Sequence, residues 1–217
     1  MSMNTVPLPS LLAEIPDPPQ RLYIRGTLPV FNEKICIAVV GSRRHTIYGM
    51  EACQKIINGL AGYPVVIISG LAVGMDTIAH ESALKAGLPC VAVPGSGLDD
   101  SVLYPSQNRG LAHKILENNG CLLSEYEPLF KATRWSFPRR NRIMAGLAHA
   151  VLVIESEKHS GTKITAGLAT EYDREVLVVP GSIVSSQSEG CNELLQQGAL
   201  LVTSAKDIIC YFNIKRL

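Results

Sequence analysis

The sequence lacks several patterns that mark membrane, secreted and metal-binding proteins. None of its apolar runs reaches the roughly 18 residues that a membrane-spanning helix needs. Residues 1–19 are interrupted by prolines and lack a basic n-region, which argues against a secretion signal. The six cysteines stand far apart, with no C-x-x-C pair, so neither a disulfide framework nor a zinc site is expected. These absences predict a soluble, cytoplasmic protein with reduced and mostly buried thiols.

An excess of charge of one sign is also missing. The 217 residues include 20 Lys and Arg against 19 Asp and Glu, which gives a formal net charge of +1. A chain with this balance has no overall attraction to nucleic acid or to an anionic membrane. A polyanion that binds this protein must therefore bind a local patch. Because 47% of the residues are hydrophobic, the chain can bury one sizeable core, and one main domain is expected.

Short apolar runs alternate with helical patterns from residue 35 onward. The runs are continuous and rich in Val and Ile, which is typical of strands buried on both faces of a parallel sheet. Predicted strands lie at 35–40, 65–69, 90–94, 121–126, 150–156, 176–180 and 199–202. Predicted helices lie at 46–61, 76–86, 107–119, 141–148, 163–173 and 188–197. Repeated strand and helix units predict an α/β fold with a doubly wound, mostly parallel sheet over residues 35–217.

Residues 1–34 have a different character from the rest of the chain. They are rich in proline and contain one plausible strand, at residues 21–26. We therefore predict an N-terminal arm over residues 1–34 that packs on the main domain.

Small residues follow four of the predicted strands. Ligands of open α/β sheets bind beyond the carboxyl ends of the strands, where these residues lie. The loops are GSRR (41–44), SGLAVGMD (69–76), GSG (95–97) and SGTK (160–163). Taken singly, each glycine is better explained by a tight strand-to-helix turn. Four such loops together, one with two arginines, favour an anionic, phosphate-bearing ligand, because glycine admits a close ligand and helix N-termini present N–H groups.

Known nucleotide and catalytic signatures are absent. The loop at 95–97 is followed by Asp100 where a dinucleotide motif needs its third glycine, and no G-x-x-x-x-G-K-[ST] or G-x-S-x-G occurs. Asp76 and His80 have the spacing of metal ligands or of an acid and base pair, but a helix-capping Asp76 and a packed His80 explain them better. The sequence therefore predicts no metal, no cofactor and no enzymatic activity.

Residues 131–142, KATRWSFPRRNR, are the strongest local concentration of positive charge. The segment has no acidic residue and contains Phe137 and the only tryptophan, Trp135. Cations bind phosphates and aromatic rings stack on unpaired bases, so this composition favours single-stranded nucleic acid. A purely structural role is the alternative, in which the segment is a solvated loop, the tryptophan packs in the core, or Arg142 pairs with a carboxylate such as Glu155.

An ordered set of motifs resembles a known family. The motifs are SGLAVGMDTIAH (69–80), GSGLDDSVLYPSQN (95–108), LLSEY (122–126), FPRRNRIMAGLA (137–148), SGTKITAGLA (160–169) and REVLVVPG (174–181). In this order and spacing they resemble the DNA-processing protein A family, also called Smf, over about residues 21–202.

This resemblance implies an extended Rossmann-like domain that binds single-stranded DNA, forms a homodimer and helps load the RecA recombinase onto incoming DNA in natural transformation. No catalytic step is implied. The family's arginine after the first strand matches Arg43, its glycine loop matches Gly70 and Gly74, and its F-P-x-R-N-R motif matches Phe137, Arg139, Asn141 and Arg142.

The loops, the basic segment and the resemblance together predict one DNA-binding surface. Arg43 and Arg139 are expected to bind phosphates, Phe137 to stack on a base, and Arg140 and Arg142 either to bind phosphates or to brace the segment. The predicted residues are Ser42, Arg43, Arg44, Gly70, Gly74, Arg134, Phe137, Arg139, Arg140, Asn141, Arg142, Ser160, Gly161, Thr162 and Lys163.

Two alternative functions use the same sheet edge. Phosphoribohydrolases that act on nucleoside monophosphates have a P-G-G-x-G-T-x-x-E loop, whereas this chain has Thr165 at the position of the glutamate, with Glu155 as a weak substitute. A non-catalytic sensor of small nucleotides is the other alternative. Many relatives also carry an N-terminal helical domain and a C-terminal winged-helix domain, for which these 217 residues leave no full room.

Overall fold

The computed structural model of the chain describes residues 4–31, 33–158 and 160–217. Among these residues, nine strands form one sheet in the order β1-β2-β6-β5-β4-β3-β7-β8-β9. The strands are β1 Asn4–Thr5, β2 Tyr23–Gly26, β3 Ile35–Val40, β4 Val65–Ser69, β5 Cys90–Ala92, β6 Cys121–Ser124, β7 Ala150–Val153, β8 Glu175–Val178 and β9 Leu200–Leu201. The helices are α1 Ser10–Ala13, α2 Ile47–Gly59, α3 Met75–Lys85, α4 Arg109–Glu117, α5 Ser136–Leu147, α6 Gly161–Glu171, α7 Glu189–Gln196 and α8 Ala205–Tyr211.

The sheet is wound outward in both directions from β3. Strands β3 to β6 lie side by side in parallel, and β7, β8 and β9 extend in parallel from the other side of β3. This order confirms the predicted doubly wound, extended Rossmann-like fold. The winding direction changes between β3 and β7, and ligands of such sheets bind beyond the strand ends at this switch point.

Both faces of the sheet are covered by helices, because alternate strand residues point to opposite sides. Ile37 and Val39 belong to the apolar layer that includes residues of α2, α3, α4 and α8. Cys36 and Ala38 belong to the layer that includes residues of α1, α5, α6 and α7. This double burial is the physical reason for the continuous apolar runs in the sequence.

The N-terminal segment extends the sheet at one edge. Strand β2 pairs antiparallel with β6, and β1 pairs antiparallel with β2. Residues 21 and 22, included in the predicted strand, precede β2. Two arginines of the main sheet domain bind this segment: Arg142 donates to the Asp17 carbonyl at 2.7 Å, and Arg174 to that of Leu11 at 2.9 Å. Residues 1–3 and 32 of the predicted arm lie outside the described residues.

Three helices depart from the prediction by more than two residues or were not predicted, and one of them is the short α1 at Ser10–Ala13. Helix α5 begins at Ser136, five residues before the predicted start, so the basic segment is partly helical rather than a loop. Pro138 lies in the first turn of α5, where backbone N–H groups have no partner within the helix, so proline is tolerated there. Helix α8 was not predicted, although Ser204 and Asp207 form a capping box at its start. That spacing was a readable signal.

The remaining composition-based predictions concern thiols and membrane spans. Five cysteines are buried and Cys210 is exposed, and all six are free thiols, as predicted. Burial raises the pKa of Cys53 and Cys90 to about 12, which makes them unreactive. Within the described ranges, no helix combines the length and the apolar character needed to cross a bilayer.

Candidate functional site

A cleft of about 720 Å³ opens at the switch point of the sheet. Its walls come from the loop after β3, the loop between β4 and α3, Tyr104, the first turns of α5, and the start of α6. Because β3 and β7 are adjacent and parallel, their following loops meet at this edge. The cleft therefore lies where doubly wound folds bind their ligands.

Ten of the predicted residues line this cleft. They are Ser42, Arg43, Arg44, Arg134, Phe137, Arg140, Asn141, Ser160, Gly161 and Thr162. Residues of the first strand loop, the basic segment and the last glycine loop, which are distant from one another in the sequence, are thus brought together in one cleft. The remaining predicted residues, Gly70, Gly74, Arg139, Arg142 and Lys163, lie outside the cleft lining.

Three arginines at the cleft have no acidic partner among the described residues. The side chains of Arg43, Arg44 and Arg134 are exposed, and none of them forms an ion pair with the part of the chain that the structure describes. The Arg43 guanidinium lies 5.6 Å from the ring centre of Phe137, a cation–π distance. These charges are available to an anion.

Arg140 forms the floor of the cleft and is buried. Its guanidinium donates a hydrogen bond to the Val93 carbonyl and lies directly against Gly70, where any Cβ would collide with it. Burial lowers the pKa of Arg140 to about 10, while the nearby Asp76 opposes this shift. Arg140 therefore remains protonated at neutral pH, and Gly70 is needed to make room for it.

Asp76 does not cap α3 as predicted, because the helix begins at Met75 and its first flanking residue is Gly74. The Asp76 carboxylate instead accepts the Ala72 N–H at 3.1 Å and so holds the preceding loop. Burial raises the pKa of Asp76, and the charge of Arg140 partly counteracts that rise. Among the described residues, no group of three His, Cys, Asp or Glu side chains is placed to hold a metal ion.

Gly74 brings the glycine loop against the loop after β3. Its φ of +86° favours glycine, and a Cβ here would lie 2.5 Å from the Arg43 carbonyl oxygen. The Met75 N–H also donates to the Ser42 carbonyl at 3.1 Å. Gly74 thus sets the position of the backbone that carries Arg43, although it does not line the cleft.

The predicted cations outside the cleft have acidic partners. Nη2 of Arg142 lies 2.6 Å from Glu125, and Nε of Arg139 lies 3.4 Å from the same carboxylate. Lys163 donates to Glu193 at 2.6 Å. The suggested pairing of Arg142 with Glu155 is wrong. Glu155 instead accepts the N–H and hydroxyl of Thr46, and it lies outside the cleft lining.

The sequence patterns did not single out several residues that line the cleft. Tyr104, Pro138, Met144, Glu157 and Ile164 are among them. Tyr104 lies within the motif at 95–108, but no local pattern indicates that its ring faces the basic segment. Glu157 adds a carboxylate, which accepts a hydrogen bond from Gln187 at 2.6 Å.

His80 of α3 is fully buried, and neither ring nitrogen has a hydrogen-bond partner among the described residues. Burial lowers its pKa to about 4, and the positive charge of Arg140 acts in the same direction. Unfolding frees this histidine to bind a proton near its ordinary pKa of about 6.5.

The buried histidine predicts a specific acid sensitivity. As pH falls from about 6.5 to about 4, the unfolded state takes up the proton first, so stability declines by up to about 3 kcal/mol. In His80→Leu this part of the decline is expected to disappear. Urea unfolding of both proteins at several pH values measures their free energies of unfolding. Subtracting the two pH curves removes the contribution of groups such as Asp76, which both proteins share. Parallel pH curves would contradict the buried neutral state of His80.

The chain is similar to known proteins over nearly its whole length. The family model for DNA recombination-mediator protein A matches residues 2–213. The chain belongs to this family. It is 44% identical over 202 residues to DNA processing protein DprA of Streptococcus pneumoniae, covering 93% of this chain and 70% of the relative. It is 41% identical to protein Smf of Escherichia coli over 93% of this chain, but it spans only 53% of that relative.

A solved structure of DNA processing protein A from Helicobacter pylori has the same fold. It superimposes with a TM-score of 0.87 at 31% identity and covers 97% of this chain and 95% of the other. That structure is described as revealing the protein's single-stranded DNA binding mode. The predicted family resemblance is therefore confirmed.

Proposed function

We propose that this chain binds single-stranded DNA in the cleft and that Arg43, Arg44 and Arg134 bind its phosphates. The observation that carries the proposal is the set of three exposed arginines without acidic partners, within the described residues, around a partly exposed aromatic ring, Phe137. Phosphate contacts supply most of the affinity of such proteins and do not depend on base sequence. The DNA-binding Helicobacter pylori relative supports the same ligand class.

Helix α6 provides a second set of anion contacts. Gly161 and Thr162 are its first residues, and both line the cleft. The first N–H groups of a helix have no partner within the helix and carry partial positive charge, so they suit a phosphate oxygen. Asn141, one turn into α5, adds an amide that can donate to phosphate or sugar oxygens.

A single strand suits this cleft better than a duplex. Phe137 and Tyr104 present aromatic rings next to the arginines, and a duplex keeps its base faces stacked and out of reach. The remaining parts of the proposal rest on family membership. The chain is proposed to act as a homodimer, without a catalytic step, and to help load RecA recombinase onto single-stranded DNA that enters the cell in natural transformation.

Replacing Arg43 by alanine tests the phosphate contacts. We expect affinity for oligo-dT to fall roughly tenfold at moderate salt, and the slope of log K against log salt to decrease by about 0.7, the value for one phosphate on a single strand. Fluorescence anisotropy of a labelled oligonucleotide at several salt concentrations measures both quantities. Lys85→Ala is the matched control, because Lys85 is an exposed cation in the last turn of α3, at the end remote from the cleft.

The result also separates the alternative functions. Binding that strengthens with oligonucleotide length and resists excess AMP supports a DNA-binding groove. If the protein binds AMP and no oligonucleotide displaces it, the cleft is a site for small nucleotides. That result would contradict the proposal. Equal affinities of Arg43→Ala and Lys85→Ala would contradict a phosphate contact at Arg43.

A further inference from the structure

Tyr104 is an exposed aromatic residue at the rim of the cleft. Its relative exposure is 49%, although the residues on either side of it, Leu103 and Pro105, are buried. Its ring centre lies 5.5 Å from that of Phe137, with 54° between the ring planes. Tyr104 and Phe137 thus form an aromatic pair in which Tyr104 is the member more open to solvent.

The backbone holds Tyr104 in place. Its N–H donates to the hydroxyl of Ser96 at 3.2 Å, and Ser96 is fully buried. The Leu103 N–H donates to the Asp99 carbonyl at 2.9 Å. A ring that is carried on a fixed backbone and packs against Phe137 loses little conformational entropy when a ligand stacks on it, which favours its use as a binding surface.

Phe137 is less available for stacking than the sequence suggested. It packs against Gly95, where a Cβ would lie 2.6 Å from the Phe137 ring, and the Arg43 guanidinium lies 5.6 Å from its centre. The backbone of Gly95 and the charge of Arg43 therefore occupy much of the surroundings of Phe137. Its ring supports Arg43 and Tyr104 and leaves Tyr104 as the open aromatic surface.

We propose that Tyr104 is the base-stacking platform of the cleft and binds a nucleobase of the strand whose phosphate is held by Arg43. This inference rests on the proposed function and adds a site for the base. One continuous row runs from the cation of Arg43 through the half-buried ring of Phe137 to the exposed ring of Tyr104. Every base has a flat aromatic face, so such a platform tolerates any sequence.

The hydroxyl of Tyr104 is not required for this role. Among the described residues it has no hydrogen-bond partner, and the ring alone supplies the stacking surface. Tyr104→Phe should therefore bind DNA as the unmodified protein does. Tyr104→Ala removes the ring, and Tyr104→Leu keeps an apolar side chain but removes its aromatic face.

The test compares two oligonucleotides with the same number of phosphates, oligo-dT and an abasic strand. Tyr104→Ala and Tyr104→Leu are expected to lose affinity for oligo-dT roughly 5- to 150-fold, the range for one stacked base, and to bind the abasic strand within about twofold of the unmodified protein. The salt slope on oligo-dT should not change, because no phosphate contact is removed.

The possible outcomes distinguish base stacking by Tyr104 from DNA binding by the cleft as a whole. Equal losses on both strands, or a loss in Tyr104→Phe as large as in Tyr104→Ala, would overturn the stacking role. Unchanged oligo-dT affinity in Tyr104→Ala and Tyr104→Leu, while Arg43→Ala is weakened, would overturn the platform alone. If the unmodified protein binds neither strand, the proposed function fails and the platform fails with it.

Discussion

Arg142→Ala is expected to lower the free energy of unfolding by about 3–5 kcal/mol, the usual cost of removing one partner of a buried ion pair. Arg142 is buried, with Nη2 2.6 Å from Glu125 and Nη1 donating to the Asp17 carbonyl at 2.7 Å. Truncation leaves the buried Glu125 carboxylate without its closest cation and frees the N-terminal segment. Urea unfolding followed by the fluorescence of Trp135, the only tryptophan, measures the change.

Arg139→Ala is the matched control for this prediction. Arg139 is the neighbouring cation of the same carboxylate, at 3.4 Å, but its side chain is 52% exposed. Exposed pairs contribute up to about 1 kcal/mol, so this variant should unfold close to the unmodified protein. Equal stability of the two variants would show that the buried pair contributes little. A stable Arg142→Ala protein with weakened DNA binding would instead favour the phosphate-binding role predicted from the sequence.

Gly74→Ala is expected to disrupt both stability and DNA binding. Alanine at φ +86° is strained by on the order of 1–3 kcal/mol, and its Cβ would lie 2.6 Å from the Cα of Arg43. The backbone must move to relieve this contact, and Arg43 moves with it. We therefore expect an affinity loss for oligo-dT at least as large as that of Arg43→Ala, together with a lower midpoint of urea unfolding.

Gly167→Ala tests whether these effects are specific to the loop. Gly167 lies on the exposed side of α6, where a Cβ would meet no atom within 4 Å. Alanine there should stabilise the helix by about 0.5–1 kcal/mol and leave DNA binding unchanged. A Gly74→Ala protein that matched Gly167→Ala in both measurements would contradict the proposed role of Gly74 in placing Arg43.

Most of the fold could be predicted because its signals are local. A run such as residues 35–40 is continuous and apolar because both its faces are covered, and the structure has β3 at those residues. The start of α5 could not be placed from the sequence, because the proline and the cations before residue 141 resemble a loop. Its earlier start makes Arg140 part of the helix, where it is buried, whereas an extended loop would expose it.

The sequence by itself determined the doubly wound sheet, the glycine loops at its carboxyl edge and the family. The sheet and the loops follow from short-range patterns of apolar residues, glycines and helix starts, and the family follows from a resemblance of ordered motifs. Only the tertiary structure decided which cations remain available to a ligand. Charge pairing and burial depend on residues distant in sequence: Glu125 binds Arg142 from 17 positions away, and Glu193 binds Lys163 from 30 positions away. The same long-range packing places Tyr104 against Phe137, which no local pattern could indicate.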